Sequence, residues 1–198
     1  AFVAGYETAA RAGRACYPLA DGYHPHGVWG AVGGAVAVAT YRGYDAEKRD
    51  HDAIEAVLNF DGVVRGRTLS FTTHGFDALA DAAEQVGERF GHPVTTTPEL
   101  GPHSDHWPYT QWGVPGYHVM SETGDEGRGW GHTFADTLDK LELRDFREQA
   151  ILLTDLAVDL ASDEFAVAHA SPADLASQLE AEDKATGMKI TGDWPYDE

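Results

Sequence analysis

At 198 residues the chain is one domain in length, with material for a single core. Its 33 acidic residues outweigh 14 basic ones, and a formal net charge of −19 excludes a nucleic-acid backbone as partner. The single cysteine, Cys16, excludes an internal disulfide framework and a multi-cysteine zinc site. No apolar run approaches the roughly 20 residues of a membrane span, so a soluble protein is expected, with cytoplasmic and secreted locations both open. Such self-repulsion destabilises a fold in dilute salt and is a lever used by halophiles. The balance therefore reads as that of a salt-loving source, with an ordinary acidic protein as the alternative. The chain begins at Ala1, which leaves a removed leader open.

Residues 1–43 stand apart. They carry Glu7 and Asp21 against Arg11, Arg14 and Arg42, a net +1 that leaves −20 for the remainder. Residues 28–40 read as a strand weakened by glycines. His24 and His26 have a spacing that could bind metal on an extended segment, or could belong to a solvated loop. Residues 45–52 are charged and helical in tone. Residues 56–63 are an apolar run ending in Asn59-x-Asp61-Gly62, a buried strand whose C-terminal end carries an acid. Acids at such ends gather where α/β sheets place ligands, although a turn aspartate capping Gly62 is the plainer reading.

Residues 69–73 form a second strand. Phe76, Leu79, Ala83, Val86 and Phe90 mark an amphipathic helix over residues 76–90, stopped by Gly91 and Pro93. Residues 94–97 are β-branched and form a strand. His74 and His92 fall at turns, with no chemistry assigned. Ser104 suits the N-cap of a short helix over residues 105–112, whose Trp107, Tyr109 and Trp112 serve packing. Residues 114–120 form a buried strand, residues 122–129 a loop and residues 136–141 a short turn. Residues 143–160 carry the strongest helical period in the chain. Ser171 and Pro172 open another helix running to about residue 183, and from Lys184 the tail reads as a loop.

The chain is organised around residues 101–141. There two polar knots, His103-Ser104-Asp105-His106 and His132-Thr133-Phe134-Ala135-Asp136-Thr137, flank the strand at residues 114–120. "SDHWPYTQWGVP" followed by "GHTFADTLDKLE" resembles the C-terminal half of the M28 zinc peptidases and their relatives, the glutaminyl cyclases. The resemblance spans about residues 44–162. It implies a three-layer α/β domain, helices against a mixed sheet, truncated or altered at its N-terminus. Residues 1–43 would be an atypical segment, diverged or translated out of frame, and residues 163–198 a terminal helix and tail.

The resemblance also implies site residues. His132 and Asp61 would be zinc ligands, and Asp105 would lie beside the metals and orient the site. The family's chemistry uses two zinc ions that activate a water and polarise the scissile carbonyl, with a glutamate as base. That base belongs to a Glu-Glu pair expected where this chain has Gly33-Gly34. A first histidine and a bridging aspartate are expected upstream and are not found, and the resemblance gives Glu122 and Glu126 no role. The expected function is metal-dependent exopeptidase action on peptide ends, inactive in this chain alone. A glutaminyl-cyclase-like acyltransferase and a non-catalytic remnant or binding domain are the alternatives. Peptide is the expected partner, and oligomeric state is left open.

Overall fold

The structure, a computed structural model, describes residues 51–196 apart from Arg128, Trp130 and His132. The strand expected over residues 28–40, together with Cys16, His24, His26 and Gly33-Gly34, lies outside the described residues. So does His132. Among the described residues no helix is long and apolar enough to cross a membrane.

Among the described residues four short strands form one mixed sheet in the order β1-β4-β2-β3. They are β1 (Val57–Gly62), β2 (Leu69–Thr72), β3 (Val94–Thr97) and β4 (Gly116–Ser121). The last strand in sequence lies in the middle, parallel to β1 and antiparallel to β2. Its position explains its composition, since all but Met120 of its residues are buried, as a two-sided central strand requires. β2 and β3 pair in parallel and are joined by helix α1 (Asp77–Phe90). Gly91 ends α1 with φ +60°, and the following amide, His92 N–H, reaches back to the Gly87 carbonyl at 3.0 Å.

Residues paired across strands share a face of the sheet, and successive residues alternate. One face presents Leu69, Phe71, Tyr117 and Val119, all with no exposed surface. It is covered by α1, through Leu79, Ala83 and Val86, and by α3 (Leu143–Leu160), through Leu152, Leu153, Leu156 and Leu160. The opposite face presents Asn59 and His118, which are paired in register. It is covered by residues 98–113, which include the short helix α2 (Trp107–Thr110). Behind this segment Leu100 and Trp107 pack on Leu175, Leu179 and Met188 from α4 (Pro172–Ala181) and α5 (Ala185–Thr191). The architecture is therefore the three-layer α/β arrangement that the sequence implied.

Two local expectations are corrected. The N-cap of α2 is His106, without a side-chain cap, and Ser104 stands two residues earlier at φ +73° with its hydroxyl turned elsewhere. The tail is not a loop from Lys184 onward. It folds as α5 because Ala185 and Met188, one turn apart, reach the second core before Gly192 ends the helix at φ +81°. The N-cap expected for α4 is present: Ser171 Oγ accepts from Asp174 N–H at 3.1 Å, with Pro172 in the first turn.

Candidate active site

Asp61 sits where the β1–β4 register shifts, between the pairs Phe60–Val119 and Gly62–Met120. A bulge of this kind re-aims a side chain at a strand end. The Asp61 side chain remains 47% exposed. Ser104 Oγ donates to its Oδ2 at 2.7 Å, and His118 Nε2 donates to the same oxygen at 3.1 Å. Burial pushes the Asp61 carboxyl up, but the Ser104 hydroxyl and the His118 ring outweigh it and hold the group below the usual carboxylate range. The result is an ionised carboxylate fixed through one oxygen and open to solvent at the end of a strand.

Behind it the bonds continue inward. Asn59 Nδ2 donates to Ser104 Oγ at 2.8 Å and approaches His106 Nδ1 at 3.4 Å. His106 Nε2 donates to the Gly101 carbonyl at 3.0 Å, and the Gly101 N–H donates to His74 Nδ1 at 3.2 Å. These partners fix the Nε2–H tautomer on His106. The rings stack in a ladder: His74 on His106 at 4.5 Å between centroids, and His106 on His118 at 5.1 Å. His103 closes the outer end, edge-on to His118 at 5.5 Å. His74 is 2% exposed and His106 is fully buried. Burial first, and then the neighbouring rings, lowers His74 to about 3 and His106 to about 4. Both stay neutral at physiological pH and form an uncharged floor under an anionic group.

Of the site residues implied by the sequence, Asp61 is therefore placed in a polar cluster at a strand end. Asp105 is exposed, and none of the hydrogen bonds around Asp61 involves it. His132 lies outside the described residues, so its distance to Asp61 is not part of this geometry. Glu122, on the loop after β4, accepts from Thr95 Oγ1 at 2.7 Å, across the β2–β3 side of the sheet. Sequence reasoning missed Asn59, Ser104, His106 and His118 as members of the cluster. The signal was present for Asn59, whose spacing of two from Asp61 puts both on one strand face. For His118, only the pairing of β4 with β1 reveals it.

A strand-end carboxylate with histidines beside it has the donor chemistry of a zinc ligand set. Among the described residues, however, no group of three or more His, Cys, Asp or Glu side chains is arranged to hold a metal ion. His118 is spent on Asp61 itself, and His106 is occupied at both ring nitrogens. The described residues alone do not fit a zinc centre, and no reaction step is derived through one.

The three-layer fold sets the acid of the Asn-x-Asp strand end beside Ser104, and the comparison with known families supplies the class, a metallopeptidase-type domain. Residues 32–157 match peptidase family M28, and the chain belongs to that family, whose members are generally zinc-dependent. The match begins inside the segment set apart by its charge and ends within α3. No curated protein and no solved structure matches the chain.

Proposed function

We propose that the chain is an M28 exopeptidase domain of the aminopeptidase type whose metal ligands include Asp61 and His132, with Asp105 beside them, and that by itself it turns over peptides at or near background. The observation that supports the first part is the Asp61 carboxylate, ionised and anchored by Ser104 and His118 with one face open. The second part rests on Gly33-Gly34, which stand where family resemblance expects a base and a ligand. Groups that act as a unit in catalysis fail together when one is missing.

The test is hydrolysis of aminoacyl anilides by the full chain in molar potassium chloride with zinc or cobalt, alongside calorimetric metal titration. The expected result is background hydrolysis and weak zinc binding that weakens further in Asp61→Asn. Robust hydrolysis abolished by His132→Ala would overturn the inactivity. Cyclisation of a peptide with N-terminal glutamine, in preference to cleavage of one with N-terminal leucine, would move the reading to a glutaminyl-cyclase-like acyltransferase.

A further inference from the structure

The peptide unit between Leu100 and Gly101 is held from two sides. Lys184, between α4 and α5, donates from its ammonium to the Leu100 carbonyl. The Gly101 N–H, on the same peptide, donates to His74 Nδ1 at 3.2 Å at the inner end of the histidine ladder. A peptide unit is planar, so the direction of its oxygen fixes that of its hydrogen. Turning the plane to release Lys184 swings the N–H off His74. A cationic donor on the oxygen also polarises the unit and strengthens its N–H as a donor. The bond matters to His74 because the other ring nitrogen, Nε2, is buried with no hydrogen-bond partner among the described residues. The next carbonyl, that of Gly101, accepts from His106 Nε2 at 3.0 Å. A Cβ on Gly101 would lie 3.4 Å from His74, 3.7 Å from His103 and 3.9 Å from His106, so three rings feel any movement of this residue.

The support behind Leu100 is extensive. Glu182 accepts the Leu100 N–H at 3.0 Å and pairs with Lys184 at 2.6 Å, so both polar groups of Leu100 end on one ion pair. Gln178 Nε2 donates to Glu182 at 2.8 Å and to the Pro98 carbonyl at 3.2 Å. Asp183 stands between the paired residues at φ +58°, a left-handed backbone that lets Glu182 and Lys184 converge on one residue. Among the described residues the non-glycine positions of positive φ are Val64, His74, Ser104 and Asp183, and all but Val64 belong to this chain of contacts. Strain gathered along one route marks a geometry that its surroundings impose for a purpose. Glu182, Lys184 and Gln178 all lie beyond residue 157, where the family match ends.

We propose that Lys184, acting with Glu182 through the Leu100–Gly101 peptide, is a positioning residue of the candidate active site: it orients His74 and His106, and through Asn59 and Ser104 it keeps the Asp61 carboxylate in place. This role rests on the reading of Asp61 as the acid of the site.

Nuclear magnetic resonance of the full chain with isotope-labelled histidine, in molar potassium chloride at neutral pH, reads the rings directly. In the wild type His74 and His106 are each expected as one Nε2–H tautomer. In Lys184→Met the His74 signals move toward a mixture of tautomers and those of His106 shift. The Gly101 amide exchanges with solvent about tenfold faster, the factor that a hydrogen bond to a charged group typically carries, while the Phe71 and Val119 amides keep their rates. Lys184→Arg, which keeps a cationic donor, retains the wild-type ring signals. So does Lys189→Met, which removes the same charge from α5 at a residue that lies over Trp194. Wild-type ring signals in Lys184→Met would overturn the proposal, as would equal changes in Lys189→Met. A Gly101 amide that speeds up only in step with Phe71 and Val119 would also overturn it, because a merely structural bond gives that result. Zinc titration should show weaker binding in Lys184→Met than in the wild type or Lys184→Arg. A wild-type chain that binds no zinc removes Asp61 as a ligand, whereas the ring signals decide the role of Lys184 without any metal.

Discussion

Gln149 is fully buried in the middle of α3, and replacing it with leucine tests how α3 holds the loop that follows Asp61. Its Oε1 accepts from the Val64 N–H at 2.7 Å, and its Nε2 donates to the Gly66 and Arg67 carbonyls at 2.8 and 3.2 Å. Val64 sits at φ +68°, a conformation that is strained for a β-branched residue and persists only where its surroundings impose it. Gln149→Leu is close to isosteric, so it opens little cavity, but it strands three backbone groups. An unsatisfied buried polar group costs about 1–3 kcal/mol. These three are only partly buried, so the lower figure applies to each, and the sum is roughly 3 kcal/mol. For a domain of this size that lowers the melting midpoint by roughly 6–12 °C. Arg67, paired with Asp145 and Glu148 at 2.7 Å each, keeps the loop tethered, so the variant still folds. Urea denaturation followed by tryptophan fluorescence gives the free energy directly. Ser121→Ala is the control, because Ser121 meets Gln149 only at 3.5 Å, and it should change stability by less than about 0.5 kcal/mol. A loss below about 1 kcal/mol in Gln149→Leu would refute the reasoning, since water would then be replacing the side chain without penalty.

The histidine ladder predicts acid sensitivity: His74 and His106 are held well below the unfolded value of 6.5, so above that pH neither affects stability. As pH falls from 6.5 toward 4 the unfolded chain takes up protons that the folded chain refuses, and at pH 5 the two together cost roughly 4 kcal/mol. Melts from pH 7.5 to 5 in molar potassium chloride should show this, with the slope about halved in His74→Asn; an unchanged slope counts against it. The net charge of −19 predicts a melting midpoint that climbs with potassium chloride, because screening relieves self-repulsion, and a flat or falling midpoint speaks against a salt-adapted surface. A Cβ at Gly66 would lie 1.9 Å from the Glu122 carbonyl oxygen, so Gly66→Ala should destabilise by several kcal/mol on the scale of severe overpacking. Gly187, with open space around it inside α5, should instead gain about 0.5–1 kcal/mol as alanine. Equal melting of the two alanine variants would show that neither contact is as drawn.

Periodicity made most elements legible. The bounds of α1 and α3 and of β1, β2, β3 and β4 survive in the fold within a residue or two, although the buried face of α3 runs through Gln149, Leu152, Leu153, Leu156 and Leu160 and leaves Phe146 exposed, as α1 leaves Phe90. What periodicity does not carry is strand order. Nothing in residues 114–120 says that this strand enters between β1 and β2, and without that insertion His118 has no reason to meet Asp61. Ser104 was misread for a related reason. Serine before a helix is an ordinary cap, but a left-handed backbone at Ser104 turns the hydroxyl to Asp61 instead. His74 and His106 were hidden because histidine is no hydrophobe by pattern, yet stacking and two shared bonds at Gly101 let both lie in the interior uncharged. In α5, only Ala185 and Met188 face the core, too short a signal to separate a helix from a loop.

The central place of β4 has a consequence for how the chain acquires its fold. β2, α1 and β3 form a local unit that can assemble on its own stretch of sequence. β4 pairs Val57 with Gly116 and Leu69 with Ser121, and both closures span long intervening segments. Loop-closure entropy places such contacts late, and topologies dominated by them fold slowly. During synthesis β1 emerges well before its partner, and β2 carries an open edge, until residues 116–121 arrive to fill the gap between them. The same event that seals the sheet brings His118 to Asp61. The candidate site is thus completed by the last strand to enter, and destabilising β4 should delay both together.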